Sequence, residues 1–274
     1  MIKNKLFTYL YPLIRFFLKE LAKKSNSEKK ILKKINDDIN FFIGKGAGGP
    51  KSIALEIDSI NKLVSEDNIN LIIDVGANEG GYSALLLETY PDAKIICFEP
   101  SKFCFNLLKN KFNGFKNIQI ENIALSSKDG DAYLYSDLPG SGLGSLSKRR
   151  LDHFNIDFEY SEKIKTQKLD TYINKYINNK VIDFMKLDVE GHELEVLKGG
   201  GQTLNQIKLI QFEFGGCNID SRTYFQDLWY FFKNYNFEIY RITPFGIIKI
   251  DKYEESDEYF KTTNYFALNK NLVK

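Results

Sequence analysis

The ten residues DVGANEGGYS, Asp74 to Ser83, decide how the rest of the chain is read. They follow the apolar run Leu71 to Ile73 and lead into a helical pattern that opens at Tyr82. Strand, glycine turn and helix in that order make the first unit of an open α/β sheet, which binds ligands beyond the carboxyl ends of its strands. Gly76 permits a tight turn and close approach of backbone to ligand, while Gly80 and Gly81 keep the helix entry clear. Asp74 is expected to accept from an ammonium group or an ordered water, and Glu99, 25 positions later at the end of Ile95 to Phe98, from two ribose hydroxyls. Asn78 stands where a dinucleotide fingerprint carries its second glycine, leaving little room for a pyrophosphate. A ribose-bearing ligand with a charged amino-acid tail suits the loop better.

The strand that leads into this loop reads as Leu71 to Val75, and outward from it strand candidates rich in Ile, Val and Phe recur at Lys94 to Phe98, Ile118 to Ile123, Ile182 to Leu187 and Leu209 to Phe214. Helical patterns separate them at Tyr82 to Tyr90, Lys102 to Phe112, Thr171 to Ile177 and His192 to Leu204. Such alternation predicts parallel βαβ units and a doubly wound α/β sheet, because parallel neighbours need a crossover. A helix at Tyr224 to Tyr235, then strands at Phe237 to Ile242, Ile247 to Ile250 and Tyr265 to Leu268, predicts an antiparallel finish. Between Lys128 and Lys168 the pattern is irregular and reads as an acceptor-binding insertion. Ahead of the sheet, Ser52 to Val64 reads as an entry helix and GKGAGGP, Gly44 to Pro50, as a linker. The division expected is an N-terminal extension over 1–50 and a catalytic domain over 51–274.

DVGANEGGYS, CFEPS (Cys97 to Ser101), NIALSS (Asn122 to Ser127), KLDVEGHELEVLKGG (Lys186 to Gly200) and QFEF (Gln211 to Phe214) resemble, in order, the motifs of the FkbM-type S-adenosylmethionine-dependent methyltransferases. The resemblance runs from about Asn70 to Asn269, and DVEGHE is its most specific part. It implies a Rossmann-like methyltransferase sheet, S-adenosylmethionine as cofactor and usually a hydroxyl as acceptor, and the acceptor expected here is a small-molecule or glycan-type hydroxyl. It also implies cofactor contacts from Asp74, Gly76, Asn78, Gly80, Glu99, Ser101, Asn122 and Ala124, with Asp188 at the mouth of the methyl site.

A hydroxyl is a poor nucleophile at neutral pH, so a base or a metal should help remove its proton. Asp188 and Glu190 fall at the end of Ile182 to Leu187, His192 in the first turn of the next helix, and Glu213 at the end of the neighbouring strand. A helix N-terminus disfavours imidazolium, which would keep His192 neutral and able to accept a proton. Bland roles compete: Glu190 and His192 as helix caps, Asp188 on backbone amides, Glu213 paired with a lysine. Three carboxylates and a histidine could also hold a divalent metal, although their spacing does not demand one. His153 reads as a surface residue.

The 274 residues carry 38 Lys/Arg and 36 Asp/Glu, but the balance is uneven. Through Lys34 the chain is +8 and thereafter −6, a basic head on a mildly acidic body that gives no case for a nucleic-acid partner. No N-P-P-Y-type segment or Pro-Cys pair, which would suit a nucleobase acceptor, is present. The head places Leu6, Leu10, Leu13, Phe17 and Leu21 at helical spacing with Lys5, Arg15, Lys19 and Lys23 between them. This basic amphipathic helix, kinked at or beginning at Pro12, is expected either to touch a membrane surface through residues 1–24 or to pack on protein, and it is too short to span a bilayer. Cys97, Cys104 and Cys217 form no C-x-x-C pair and fit reduced thiols in the cytoplasm. Two other readings stand beside the methyltransferase. One is a nicotinamide-dependent oxidoreductase using Gly44, Gly46 and Gly49, which needs a strand ending near Ile43; the other is a non-catalytic membrane-surface protein.

Overall fold

The computed structural model describes residues 2–49, 53–65, 69–177 and 180–273, with side chains from residue 8 onward. Pro50, Ser52 and the side chains of Lys5 and Leu6, which figure in the sequence reading, lie outside the described set. The chain divides into two compact units, 1–43 and 44–274.

The first unit holds helices α1 (Ile2–Ala22) and α2 (Asn26–Phe42). Pro12 sits inside α1 rather than at its start. The polar, Lys-rich stretch from Lys23 to Asn40 is largely α2; Ile31, Ile35 and Ile39 at four-residue spacing form a thin apolar stripe, and no residue of α2 is buried.

The second unit is the α/β body. After α3 (Ile53–Ile60) come β1 (Leu71–Val75), α4 (Gly81–Thr89), β2 (Lys94–Phe98), α5 (Lys102–Lys111) and β3 (Ile118–Glu121). An intervening segment forms β4 (Ala124–Leu125), β5 (Gly130–Ser136) and β6 (Tyr160–Gln167); α6 (Leu169–Tyr176), β7 (Ile182–Leu187), α7 (Glu193–Gly199) and β8 (Ile207–Phe214) then resume the alternation. The chain closes with α8 (Cys217–Ser221), α9 (Phe225–Asn234), β9 (Phe237–Thr243), β10 (Gly246–Ile250) and β11 (Thr263–Asn269).

The main sheet has the order β10-β9-β11-β8-β7-β1-β2-β3. Strands β3, β2, β1, β7 and β8 are mutually parallel, and β11, β9 and β10 add antiparallel pairs at one edge. This is the doubly wound, mostly parallel sheet with an antiparallel finish that the sequence pattern predicts. Alternation along β1 sorts the core: Leu71, Ile73 and Val75 join the layer containing α6, α7 and α9 residues, and Ile72 joins the layer of α3, α4 and α5. Winding reverses between β1 and β7, which opens a crevice beyond their carboxyl ends.

Two expectations change. The 128–168 insertion is not wholly irregular, since β5 and β6 pair antiparallel and join β4 in a small second sheet. The glycine run does not hang free as a linker. Gly44 has φ +88° and lies so close to β9 that a Cβ there would stand 2.4 Å from the Ile242 carbonyl oxygen. The Gly46 and Gly48 N–H groups donate to Thr263 Oγ1 at 2.8 Å and the Thr262 carbonyl at 3.0 Å. Lys45 is buried, 3.4 Å from Asp257. These contacts tie Gly44–Gly48 to the body.

Candidate active site

Gly76 turns the chain out of β1 at φ +84°, and a Cβ there would lie 1.8 Å from the Asp188 carbonyl oxygen. Only glycine fits between the ends of β1 and β7. The turn continues through Asn78, itself left-handed at φ 47°, to Gly80. Glu99, at the end of β2, fastens the turn in place: the Asn78 N–H donates to Glu99 Oε2 and the Ser101 N–H to Glu99 Oε1, each at 2.8 Å. Burial pushes the Glu99 carboxyl up to about 7 against the lowering effect of those two bonds. Asn122 Nδ2 donates to the carbonyls of Glu99 and Pro100, both at 2.9 Å, which fixes the strand end.

Below this turn a cavity of about 730 Å³ opens over the sheet. Its near half is lined by Gly76, Asn78, Glu99, Ser101 and Ala124, and its far half by Asp188, Glu190, His192 and Glu213. Asp74, Gly80 and Asn122 do not line it. Asp74 lies fully buried behind the wall, where it accepts from Ser83 Oγ, and burial raises its pKa. Gly80 packs on Leu108 and Phe112. These three support the site from behind.

In the far half one oxygen each from Asp188, Glu190 and Glu213 falls within 4.8 Å of the others. Lys186 Nζ reaches Asp188 Oδ2 at 2.8 Å, and Arg149 Nη1, from the insertion, reaches Glu190 Oε2 at 2.7 Å. Burial alone would lower the Lys186 ammonium, but Asp188 and Asp74 overcome it and hold it above its ordinary range. Glu213 meets no hydrogen-bonding or ion-pairing side chain among the described residues. Burial, then repulsion from Asp188 and Glu190, lifts its pKa well above the carboxylate range. Burial and Asp188 likewise raise Glu190 to about 7 despite Arg149. Glu190 holds φ 51°, a left-handed conformation costly for a side-chain-bearing residue, and its carbonyl accepts from Ser145 Oγ at 2.7 Å.

His192 occupies the N-cap of α7, one residue before the helix, with Nε2 2.9 Å from Ser126 Oγ. Its pKa is lowered, chiefly by burial and further by the nearby Lys198 ammonium, which favours the neutral ring. Glu193 does the local capping: its Oε1 accepts from the Val189 and Gly191 N–H groups, both at 3.2 Å, fixing the loop that carries Glu190. A second tier backs the cavity. Tyr82 Oη donates to Gln211 Oε1, and Gln211 Nε2 and Asn264 Nδ2 donate to the two oxygens of buried Glu56, all at 2.7 Å.

A family model described as the methyltransferase FkbM domain matches residues 74–239, more than half of the chain. The chain belongs to the FkbM methyltransferase family. Among its relatives, the methyltransferase sdnD of Sordaria araneosa is 29% identical over 153 residues, 47% of this chain and 59% of that protein. The 2-O-methyltransferase NoeI of Sinorhizobium fredii is 26% identical over 156 residues, 53% of this chain and 63% of that protein. The chain thus spans about three fifths of the length of each. A solved S-adenosylmethionine-dependent O-methyltransferase from Thermotoga maritima superposes with TM-score 0.41 at 13% identity, covering 81% of this chain and 66% of that one.

For an FkbM methyltransferase the cavity fits its cofactor. The buried Glu99 carboxylate stands at the end of β2 with a lone pair on each oxygen beyond those its N–H donors use, and the Gly76 turn brings bare backbone to the rim. A divalent metal fits less well, since Lys186 and Arg149 already hold two of the three carboxylates a metal would use. The nicotinamide reading falls because α2, not a strand, precedes Gly44. Sequence reasoning did not single out Lys186, Arg149, Tyr82, Gln211 or Glu56. Lys186 had a signal, since it stands two residues before Asp188, the spacing that puts strand neighbours on one face. Arg149 had none.

Proposed function

We propose that this chain is an S-adenosylmethionine-dependent O-methyltransferase acting on a sugar-like or small polyol hydroxyl, with Glu213 as the base that receives the hydroxyl proton. The observation that carries the reading is the charge arrangement at the far end of the cavity. Three carboxylates converge, Lys186 and Arg149 neutralise two, and Glu213 is left without a cation. Carboxylates fixed in this way accept bonds from vicinal hydroxyls and so orient an acceptor. Asp188 and Glu190, each held by its cation, serve that orienting role. Glu213, whose proton affinity is raised by burial and by its two neighbours, is suited in its ionised form to take the hydroxyl proton. Gly76, Asn78, Glu99, Ser101 and Ala124 would hold the cofactor, with Asp188 at the junction of the two halves. When bound, S-adenosylmethionine would supply an electrophilic sulfonium methyl group, with the thioether as leaving group. Ser141 to Gly144 and Leu146, from the insertion, close one side of the cavity and limit the access of water.

The hydroxyl class is supported by the converging carboxylates and by the 2-O-methyltransferase among the relatives. Calorimetry with S-adenosylmethionine and transfer of labelled methyl to panels of oligosaccharides, polyols and amines tests it. Cofactor binding with label on hydroxyls is expected. No cofactor binding, or label on amines alone, overturns it.

A further inference from the structure

The chemistry above leaves the first unit unused, and α1 has a surface that needs a partner. Tyr9, Leu13, Phe16 and Phe17 are 75%, 66%, 65% and 58% exposed, with Leu10 and Ile14 exposed beside them. At about 100° per residue these six fall within an arc of roughly 160°. Arg15 and Lys19 lie on the opposite side of the same helix, and Lys23 follows just past its end. Exposed aromatic and aliphatic side chains gathered on one face are rare in proteins that work free in water.

The unit's charge selects the occupant. Residues 1–43 carry ten Lys/Arg against four Asp/Glu, a net +6. A second copy would bring like charge against like, whereas an anionic lipid surface offers opposite charge at the headgroups and hydrocarbon beneath. No helix among the described residues is long and apolar enough to cross a membrane. We propose that α1 lies in the plane of an anionic membrane, its Tyr9, Leu13, Phe16 and Phe17 face immersed and Arg15, Lys19 and Lys23 reaching to the phosphates. The long stems of those three cations let them reach the headgroups from a helix that sits at the boundary.

The full chain is sedimented with phosphatidylglycerol/phosphatidylethanolamine vesicles and, separately, with phosphatidylcholine vesicles. Binding to the anionic vesicles is expected, weakening between about 0.1 M and about 0.5 M salt. The paired variant Phe16→Gln/Phe17→Gln should bind roughly tenfold more weakly, and Arg15→Gln/Lys19→Gln should lose most of the salt dependence. Both variants should keep the parent's S-adenosylmethionine affinity, which shows that the body is folded. Failure to bind anionic vesicles, equal binding to phosphatidylcholine, or affinity unchanged by Phe16→Gln/Phe17→Gln overturns the proposal. So does a concentration-dependent dimer that this pair abolishes without any vesicle binding, which assigns the face to a second copy.

Discussion

Replacing Glu213 with Gln tests the proposed base with little structural disturbance. Glutamine has nearly the same shape, and no side-chain hydrogen bond or ion pair to Glu213 among the described residues is broken by the change. Removing the charge also relieves the repulsion from Asp188 and Glu190 that raises the Glu213 pKa. The variant should therefore be as stable as the parent below the unfolded-state carboxyl pKa of about 4.3 and more stable above the raised folded-state pKa, because a buried acid with a raised pKa loses folding free energy as pH climbs through it. Turnover should move the other way. Loss of a general base typically lowers the rate about 10²- to 10⁴-fold, equivalent to about 3–5 kcal/mol of transition-state stabilisation. The parent's kcat/KM should rise with pH through the Glu213 titration and level off; Glu213→Gln should lose that rising limb while its S-adenosylmethionine affinity stays within about threefold of the parent's. Radiometric methyl transfer across pH, with urea unfolding at the same pH values, provides both readings. Turnover within about threefold of the parent on an unaltered pH profile would refute the assignment and leave the proton to Glu190 or His192.

Three further outcomes follow from the geometry. Gly76→Ala forces a methyl group against the Asp188 carbonyl, 1.8 Å away, at a positive φ; it should destabilise the protein by more than about 3 kcal/mol in urea unfolding or prevent folding. Glu99→Ala removes the acceptor for two loop N–H groups as well as the proposed ribose contact, and should weaken S-adenosylmethionine binding at least about tenfold by calorimetry, in proportion to one lost charge-assisted bond. Glu193 is fully buried and burial raises its pKa to about 7, so its contribution is intact below about pH 4.5 and is lost as pH rises through 7. Glu193→Gln, which can keep the two N–H bonds through its carbonyl oxygen, should match the parent at about pH 4 and exceed it by about 3 kcal/mol at about pH 8 in the same urea assay.

The parallel half of the sheet was legible because its strands are continuous apolar runs bounded by glycine motifs. The expected ends of β1, β2 and β7 coincide with those observed. Local periodicity did less well where burial is thin: α2 buries no residue, and β5 buries only Leu134 and Ser136, so neither leaves a strong apolar pattern. The expected helix from His192 to Leu204 shortens to α7 because Gly199, Gly200 and Gly201 end it, and a Cβ at Gly199 would stand 2.0 Å from the Ser126 carbonyl. In the site, the four acidic and imidazole candidates were legible from their places at strand ends. Their division of labour was not, because it depends on cations brought by folding, Arg149 reaching Glu190 across 41 positions of sequence. Asp74 shows the opposite limit, since its place in the motif is clear while its side chain turns away from the cavity onto Ser83.

The glycine run bears on where the catalytic body can be cut from its helices. Asp257 lies between two buried cations, Arg241 at 2.9 Å and Lys45 at 3.4 Å, and Gly49 stands in the cavity wall with Thr262 and Asn264. A truncation at residue 50, the boundary that composition suggests, would strip one cation from a buried carboxylate and breach the wall of the reaction chamber. The excisable unit begins at Gly44, the first residue of the second compact unit, and a cut just before it keeps Lys45 on Asp257 and Gly49 in the cavity wall.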